Sequence, residues 1–324
     1  MDSISFIKAP IITELAGFRQ LFDSSLSSSN TLLDSVVSHI RQRQGKMMRP
    51  MLVILVARLY GEVRPATLHA AASLELLHTA SLVHDDVVDE SSERRGQLSA
   101  NAAFNNKVAV LAGDYLLATS LVHAQLTESH PIIRLVSRLG QDLADGELLQ
   151  LSNVSNLHFS EPVYFDVIRK KTAALFAACT QAAALSMEVG EEDVEKARLL
   201  GEYIGICFQI RDDIFDYFDS EEVGKPTGND MREGKLTLPA LHVLNTTASD
   251  EIKAIAFRVK EGNATSDEIA RFIDYIKAHG GIEYAEQTMN DYKQKAFDLL
   301  DSLPASEITA SLRAYLDYVV DRKK

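Results

Sequence analysis

An all-α fold, held as one domain, is what this sequence predicts, and three observations carry the prediction. Apolar residues recur at three- and four-residue spacing through nearly the whole chain. No stretch alternates apolar and polar residues over a useful strand length. No fixed-period repeat or low-complexity linker divides residues 1–324, which read as a single large helical bundle around a central cavity.

The elements follow in order. Ile11 to Phe22 and Asn30 to Arg43 carry the amphipathic spacing, and Gly45 to Pro50 (GKMMRP) interrupts it. Met51 to Tyr60 is a strongly apolar helix. Pro65 then opens the helix that ends in LHTASLVHDDVVDESSERRG, since proline suits a helix's first turn. Gln97 to Asn106 is polar and Asn-rich, a loop or short helix, before Val108 to Leu126 returns to helix with Gly113 and Asp114 inside it. Pro131 to Ser152 is amphipathic again. Ser160-Glu161-Pro162 reads as the start of Val163 to Val189, whose alanines let helices approach closely. Asp193 to Asp219 follows, then a glycine- and charge-rich loop from Ser220 to Lys235. Leu236 to Val320 makes three to five amphipathic helices, parted at Thr246–Asp250, Gly262–Asp267 and Gly280–Gly281.

Composition narrows the function. A net charge of −13 argues against a nucleic-acid backbone as partner, which needs a basic face. It leaves room for an anionic phosphorylated substrate bridged by metal ions. Two cysteines, Cys179 and Cys207, make no disulfide framework and suit a reducing cytosol. The start, MDSISFIKAP, lacks the basic residues and apolar run of a signal peptide. Apolar runs such as Met51 to Ala57 fall far short of a membrane span. The expectation is a cytoplasmic protein with no transmembrane segment.

The chemistry gathers at two acidic clusters. Asp85 and Asp89 stand four apart, one above the other on a helix, with Asp86 beside them. Asp212, Asp213 and Asp216 repeat the pattern in FQIRDDIFDYF. One such cluster alone is as well explained by a solvated face. Two of them, each ending an apolar helix, suit Mg²⁺, which takes a few carboxylates plus water and phosphate oxygens. Basic residues lie close in sequence: Lys46 and Arg49, Arg94-Arg95 after the first cluster, Lys171-Thr172, and Lys225 and Lys235 after the second. Singly each reads as solubility, whereas their placement beside the acids fits a metal–diphosphate site. His78 lies two turns before Asp85 and reads as a core residue or an anion contact; His84 is ambiguous. Gln209, one turn before Asp213, would donate to substrate or satisfy buried polarity.

These motifs resemble those of the trans-isoprenyl diphosphate synthases. LVHDDVVDESSERRG and FQIRDDIFDYF resemble the family's two aspartate-rich motifs. GKMMRP, Lys171-Thr172 and GKPTGNDMREGKLTLP match its basic motif, its Lys-Thr pair and its lysine loop, in order. The stretch HDDVVDES…RRG…ANAAF…VLAGDYL is most similar to the long-chain branch, which makes polyprenyl tails for quinones. Gln44 and Met47 stand where the family usually has a second glycine and a second basic residue.

The resemblance implies the helical isoprenoid-synthase fold and a set of roles. Asp85, Asp86, Asp89, Asp212, Asp213 and Asp216 would place three Mg²⁺ on an allylic diphosphate. Arg94, Lys171, Lys225 and Lys235 would hold that diphosphate, with Thr172 and Gln209 nearby. Lys46, Arg49, His78 and Arg95 would hold isopentenyl diphosphate. Ionisation, condensation and elimination follow, with released diphosphate taking the proton. Ala80 and Ser81 are small where short-chain relatives carry a bulky aromatic, so the product is expected to be long, with Leu77, Leu117 or Leu121 nearer the floor. A homodimer is implied, with Val108 to Leu126 as interface and transient membrane contact for product release. The alternatives are a short-chain farnesyl or geranylgeranyl synthase, or the catalytic subunit of a heteromeric synthase. A terpene cyclase would not need Lys46 and Arg49, and a helical scaffold leaves the paired motifs unexplained.

Overall fold

The structure is a computed structural model that describes residues 3–42, 45–94, 96–154, 159–218 and 227–322. Its helices, in chain order, are α1 (Ser3–Lys8), α2 (Ile12–Ser25), α3 (Thr31–Arg41), α4 (Met48–Arg58), α5 (Pro65–Val88), α6 (Ala100–Phe104), α7 (Asn106–Leu126) and α8 (His130–Val154). They continue as α9 (Glu161–Ile168), α10 (Ala174–Ser186), α11 (Glu191–Phe215), α12 (Asn229–Arg232), α13 (Leu238–Thr246), α14 (Asp250–Lys260), α15 (Ser266–Ala278), α16 (Gly281–Asp301) and α17 (Glu307–Asp321). The Leu236–Val320 region thus holds five helices, the upper end of the expected range. Of the expected Ser220–Lys235 loop, residues 220–226 lie outside the described residues and the remainder contains the short α12. Between α5 and α6 lies a two-residue antiparallel pair, β1 (Glu93–Arg94) and β2 (Gln97–Leu98), and α6 is the short helix that the Gln97 to Asn106 stretch allowed.

By packing, the chain forms two compact units: residues 1–141, 175–201 and 304–314 in one, and 142–174, 202–303 and 315–324 in the other. In the first, α4 is apolar all round, and Met51 to Ala57 are fully buried, as a helix without a polar face must be. Both α4 and α2 pack against α5, and α7 lies along α5 over much of its length. Gly113 faces the half-buried His84 ring across that contact, where a Cβ would sit 2.3 Å from Nε2 and the ring would have to turn aside. A polar seam runs between α5 and α7. Ser73 and Ser120 exchange bonds with each other's carbonyls at 2.9 and 2.8 Å, and the His69 and His123 Nδ1 atoms lie 3.0 Å apart. Among the described residues α7 is the one helix long and apolar enough, by length and composition, to cross a membrane; the run noted in the sequence, Met51 to Ala57, lies instead in α4. Its outer face leaves Leu111, Leu121 and Val122 exposed.

In the second unit α13 packs against α16, α9 and α15, and α14 against α15. A capping box, Thr265 with Glu268, starts α15. Between α9 and α10 the helix widens into a π turn over residues 169–173, a feature that spacing alone does not reveal. Gly146 fits against it, where a Cβ would meet Lys171 N at 3.0 Å.

Candidate active site

Both carboxylate groups stand at the C-terminal ends of long helices, where unpaired carbonyls already make the potential negative. Asp85 and Asp86 close α5 and Asp89 is its C-cap, while Asp212 and Asp213 close α11 and Asp216 follows it. In both groups the middle residue is buried. Asp86 is 3% exposed and accepts from Arg94 Nε at 2.6 Å. Asp213 is equally buried, accepting from Tyr164 OH at 2.5 Å and Gln209 Nε2 at 2.8 Å. Asp85 and Asp212 are half-buried and Asp89 is exposed. Asp216 accepts on both oxygens, from the backbone N–H groups of Asn229 and Asp230 at 2.9 and 3.1 Å.

In the first unit a cavity is lined by Phe22, Leu76, Leu82 and Leu116 together with His78, Asp86 and Arg94. The turn carrying Arg94 is pinned by Asn101, which donates to the Asp86 and Ser91 carbonyls at 3.1 Å each, and by Ser99 Oγ, donating to Ser91 O at 2.6 Å. Lys46 is exposed outside this cavity. Arg49, in the first turn of α4, lies 5.3 Å over the Phe176 ring, its Nε buried without a hydrogen-bond partner. Ala80 and Leu77 are buried, and Ser81 bonds the His78 carbonyl at 2.9 Å. Leu121 is exposed on α7, unlike the half-buried Leu117. Arg95, Gln44 and Lys225 lie outside the described residues.

A second cavity, of about 190 Å³, lies within the other unit. It brings together Lys171, Thr172, Gln209, Asp213 and Lys235 from the sequence reading. The π turn places the Lys171-Thr172 pair, in keeping with the frequency of such turns at functional sites. Thr172 Oγ1 donates to Gln209 Oε1 at 2.6 Å, so threonine, glutamine and Asp213 form one chain. Lys171 pairs with Glu147 and Lys235 with Glu233, each at 2.5 Å. The cavity also includes Tyr164, Asp230 and Lys260, which sequence reasoning missed. Lys260 is 7% exposed, and burial lowers its pKa. Burial first, and then the charge of Asp230, pushes the Asp213 carboxyl well above the usual carboxylate range. Burial raises Asp216 as well, against the two N–H bonds it accepts.

The residues present fit a hard divalent cation. Every donor in both groups is a carboxylate oxygen, and buried acids at helix C-termini call for positive charge. Among the described residues, however, no three carboxylate, imidazole or thiolate side chains converge into a closed cage. That is the pattern of Mg²⁺ sites completed by water and substrate phosphate rather than of a preformed all-protein site.

Residues 30–276 match the polyprenyl synthetase family. The chain belongs to that family. It is a trans-isoprenyl diphosphate synthase, a prenyltransferase with the all-α fold that the motifs implied. Among curated relatives, octaprenyl diphosphate synthase of Escherichia coli is 33% identical, the match covering 96% of both chains. A solved structure named geranylgeranyl pyrophosphate synthase, from Bacteroides thetaiotaomicron, is 68% identical with a TM-score of 0.88, covering 99% of this synthase and 100% of that chain. A polyprenyl synthase from Caulobacter crescentus, complexed with calcium and isoprenyl diphosphate, is 31% identical with a TM-score of 0.92, covering 99% and 98%.

Proposed function

We propose that this synthase uses Mg²⁺, three ions per site, to add isopentenyl diphosphate repeatedly to an allylic diphosphate, making a long-chain all-trans polyprenyl diphosphate for a quinone side chain. The observation that carries the reading is the pair of carboxylate groups, each at the end of a long helix with lysine or arginine close by. The calcium and isoprenyl diphosphate held by the Caulobacter relative support it. The whole chain acts as one catalytic domain in which both groups serve the same reaction.

Asp85, Asp89 and Asp212, which are half-buried or exposed, are the first choice as metal ligands, since Asp216 already accepts backbone N–H bonds on both oxygens. Asp86, Asp213 and Asp216 complete the set. The bound ions would stabilise charge on the departing diphosphate. Arg94, Lys171, Lys225 and Lys235 hold that diphosphate, with Thr172 and Gln209 fixing its surroundings. Lys171 and Lys235 exchange their glutamate partners for phosphate oxygens to do so. Lys46, Arg49, His78 and Arg95 hold isopentenyl diphosphate, its double bond attacks the allylic cation, and the released diphosphate takes the proton.

Small Ala80 and Ser81 support a long product. The 68% identity to a chain named for geranylgeranyl diphosphate favours a second reading, a product of that length. Incubation with Mg²⁺, farnesyl diphosphate and excess labelled isopentenyl diphosphate, followed by sizing of the products, decides between them. A discrete product of six or more isoprene units is expected. Arrest at geranylgeranyl diphosphate establishes the second reading, and no elongation overturns both. The exposed apolar face of α7 supports a homodimer over a membrane span, to be read by light scattering of the purified chain. Two buried free thiols, Cys179 and Cys207, support a reducing, cytoplasmic setting.

A further inference from the structure

Arg322 follows α17 and lies against the last turns of α11. Its side chain is 11% exposed, and its Nη2 stands 2.6 Å from Asp212 Oδ1 while donating to the Phe208 carbonyl at 3.0 Å. The guanidinium carbon lies 3.8 Å from the Phe208 ring centre and 5.8 Å from that of Phe215. Arg211 grips the same residue from behind, its Nε and Nη2 donating to the Arg322 carbonyl at 3.3 and 3.2 Å. Exposed ion pairs are loose and strongly screened, whereas the arginine of this one is stacked on aromatic faces and largely withdrawn from water. The Asp212 side chain itself remains 44% exposed, so a second cation can reach it. The other two acids of the group take uncharged partners, Tyr164, Gln209 and backbone N–H groups.

We infer that Arg322 is a positioning residue for Asp212: a resident counter-cation that holds this carboxylate in the unloaded enzyme and opposes the divalent ion that comes to it. The inference rests on the proposed metal role of the second carboxylate group. A unit charge about 5 Å from a doubly charged ion repels it, and with partial water screening its removal tightens binding on the order of tenfold. Divalent cation and diphosphate together then loosen the Arg322 contact, linking metal loading to the end of α17.

Mn²⁺ alone, titrated by electron paramagnetic resonance without substrate, gives the test on wild type, Arg322→Gln, Arg322→Lys and Asp212→Asn. Arg322→Gln should bind Mn²⁺ about tenfold tighter, and Arg322→Lys, which keeps the charge, should stay near wild type. Equal or weaker binding by Arg322→Gln, or a lysine variant that behaves like the glutamine one, overturns the inference. If Asp212→Asn leaves wild-type Mn²⁺ binding unchanged, the metal reading of this carboxylate fails and the inference with it. Hydrogen exchange on the unaltered chain adds a measurement that needs no variant. Mn²⁺ with inorganic diphosphate should speed exchange over residues 318–322, and unchanged protection there counts against displacement.

Discussion

At the scale of single residues the middle aspartates differ from their neighbours. Asp213 is buried beside Asp230, so an unpaired charge there would be costly, and Tyr164 and Gln209 supply the two bonds that hold it. Tyr164→Phe removes one hydrogen bond to a buried carboxyl while leaving the ring in place. The expected loss is about 1.5–3 kcal/mol in urea unfolding, together with a higher Mg²⁺ requirement for turnover. Stability within 0.5 kcal/mol of wild type, on the order of a neutral surface change, would show that Gln209 suffices. Lys260 invites a second test. Its place in the cavity of Lys171 and Lys235 predicts that Lys260→Met raises KM for the allylic diphosphate severalfold with little change in that for isopentenyl diphosphate.

At the scale of elements, the α5–α7 seam and two glycines carry the sharper expectations. Burial lowers the pKa of His69 and of His123, the latter lowered further by its neighbour His69. Unfolding returns both to about 6.5, so below that pH the unfolded chain binds more protons than the folded one. Stability is therefore full above about pH 6.5 and falls as pH drops below it, until the folded-state values are passed. Thermal melts of wild type against a His69→Gln, His123→Gln pair at pH 8, 7, 6 and 5 should show the flatter profile in the variant. Gly201, on α11, meets α10 so closely that a Cβ would lie 2.4 Å from the Phe176 carbonyl and 2.7 Å from Ala177 Cα. Backbone cannot yield as a side-chain tip can, so Gly201→Ala should cost about 1–3 kcal/mol. Gly140, on α8, has nothing within 4 Å of its Cβ position, and Gly140→Ala should stabilise by up to about 1 kcal/mol through helix propensity. Equal melting points for the two variants would refute this reading of the packing.

Across the whole molecule, the parts legible in the sequence were those written in local spacing. Helical periodicity and the start signals at Pro65 and Ser160–Pro162 gave elements that the structure places within a few residues, and the ordered motifs gave the family. What stayed hidden depends on contacts between distant segments or on backbone phase. Spacing put Asp85, Asp86 and Asp89 together but could not say that Asp86 alone turns inward, since that depends on which side of α5 is covered. Tyr164, Lys260 and Arg322 reach the second carboxylate group or its cavity from segments tens of residues away. The π turn at Lys171 leaves the three-to-four spacing nearly intact, so periodicity passes over it. Product length belongs to this scale too: Ala80→Phe should shorten the product, and an unaltered product would place the growing chain against another face of α5.

The acids crowded at the ends of α5 and α11 also bear on how long the protein survives in a cell. A fold whose repulsion is relieved by bound cation and diphosphate is stabilised by mass action whenever those ligands are plentiful, by about 2.7 kcal/mol at a hundredfold excess over Kd. Cells short of isoprenyl diphosphates would then hold more of the chain transiently open to proteases. The supply of substrate would set the abundance of this synthase as well as its rate.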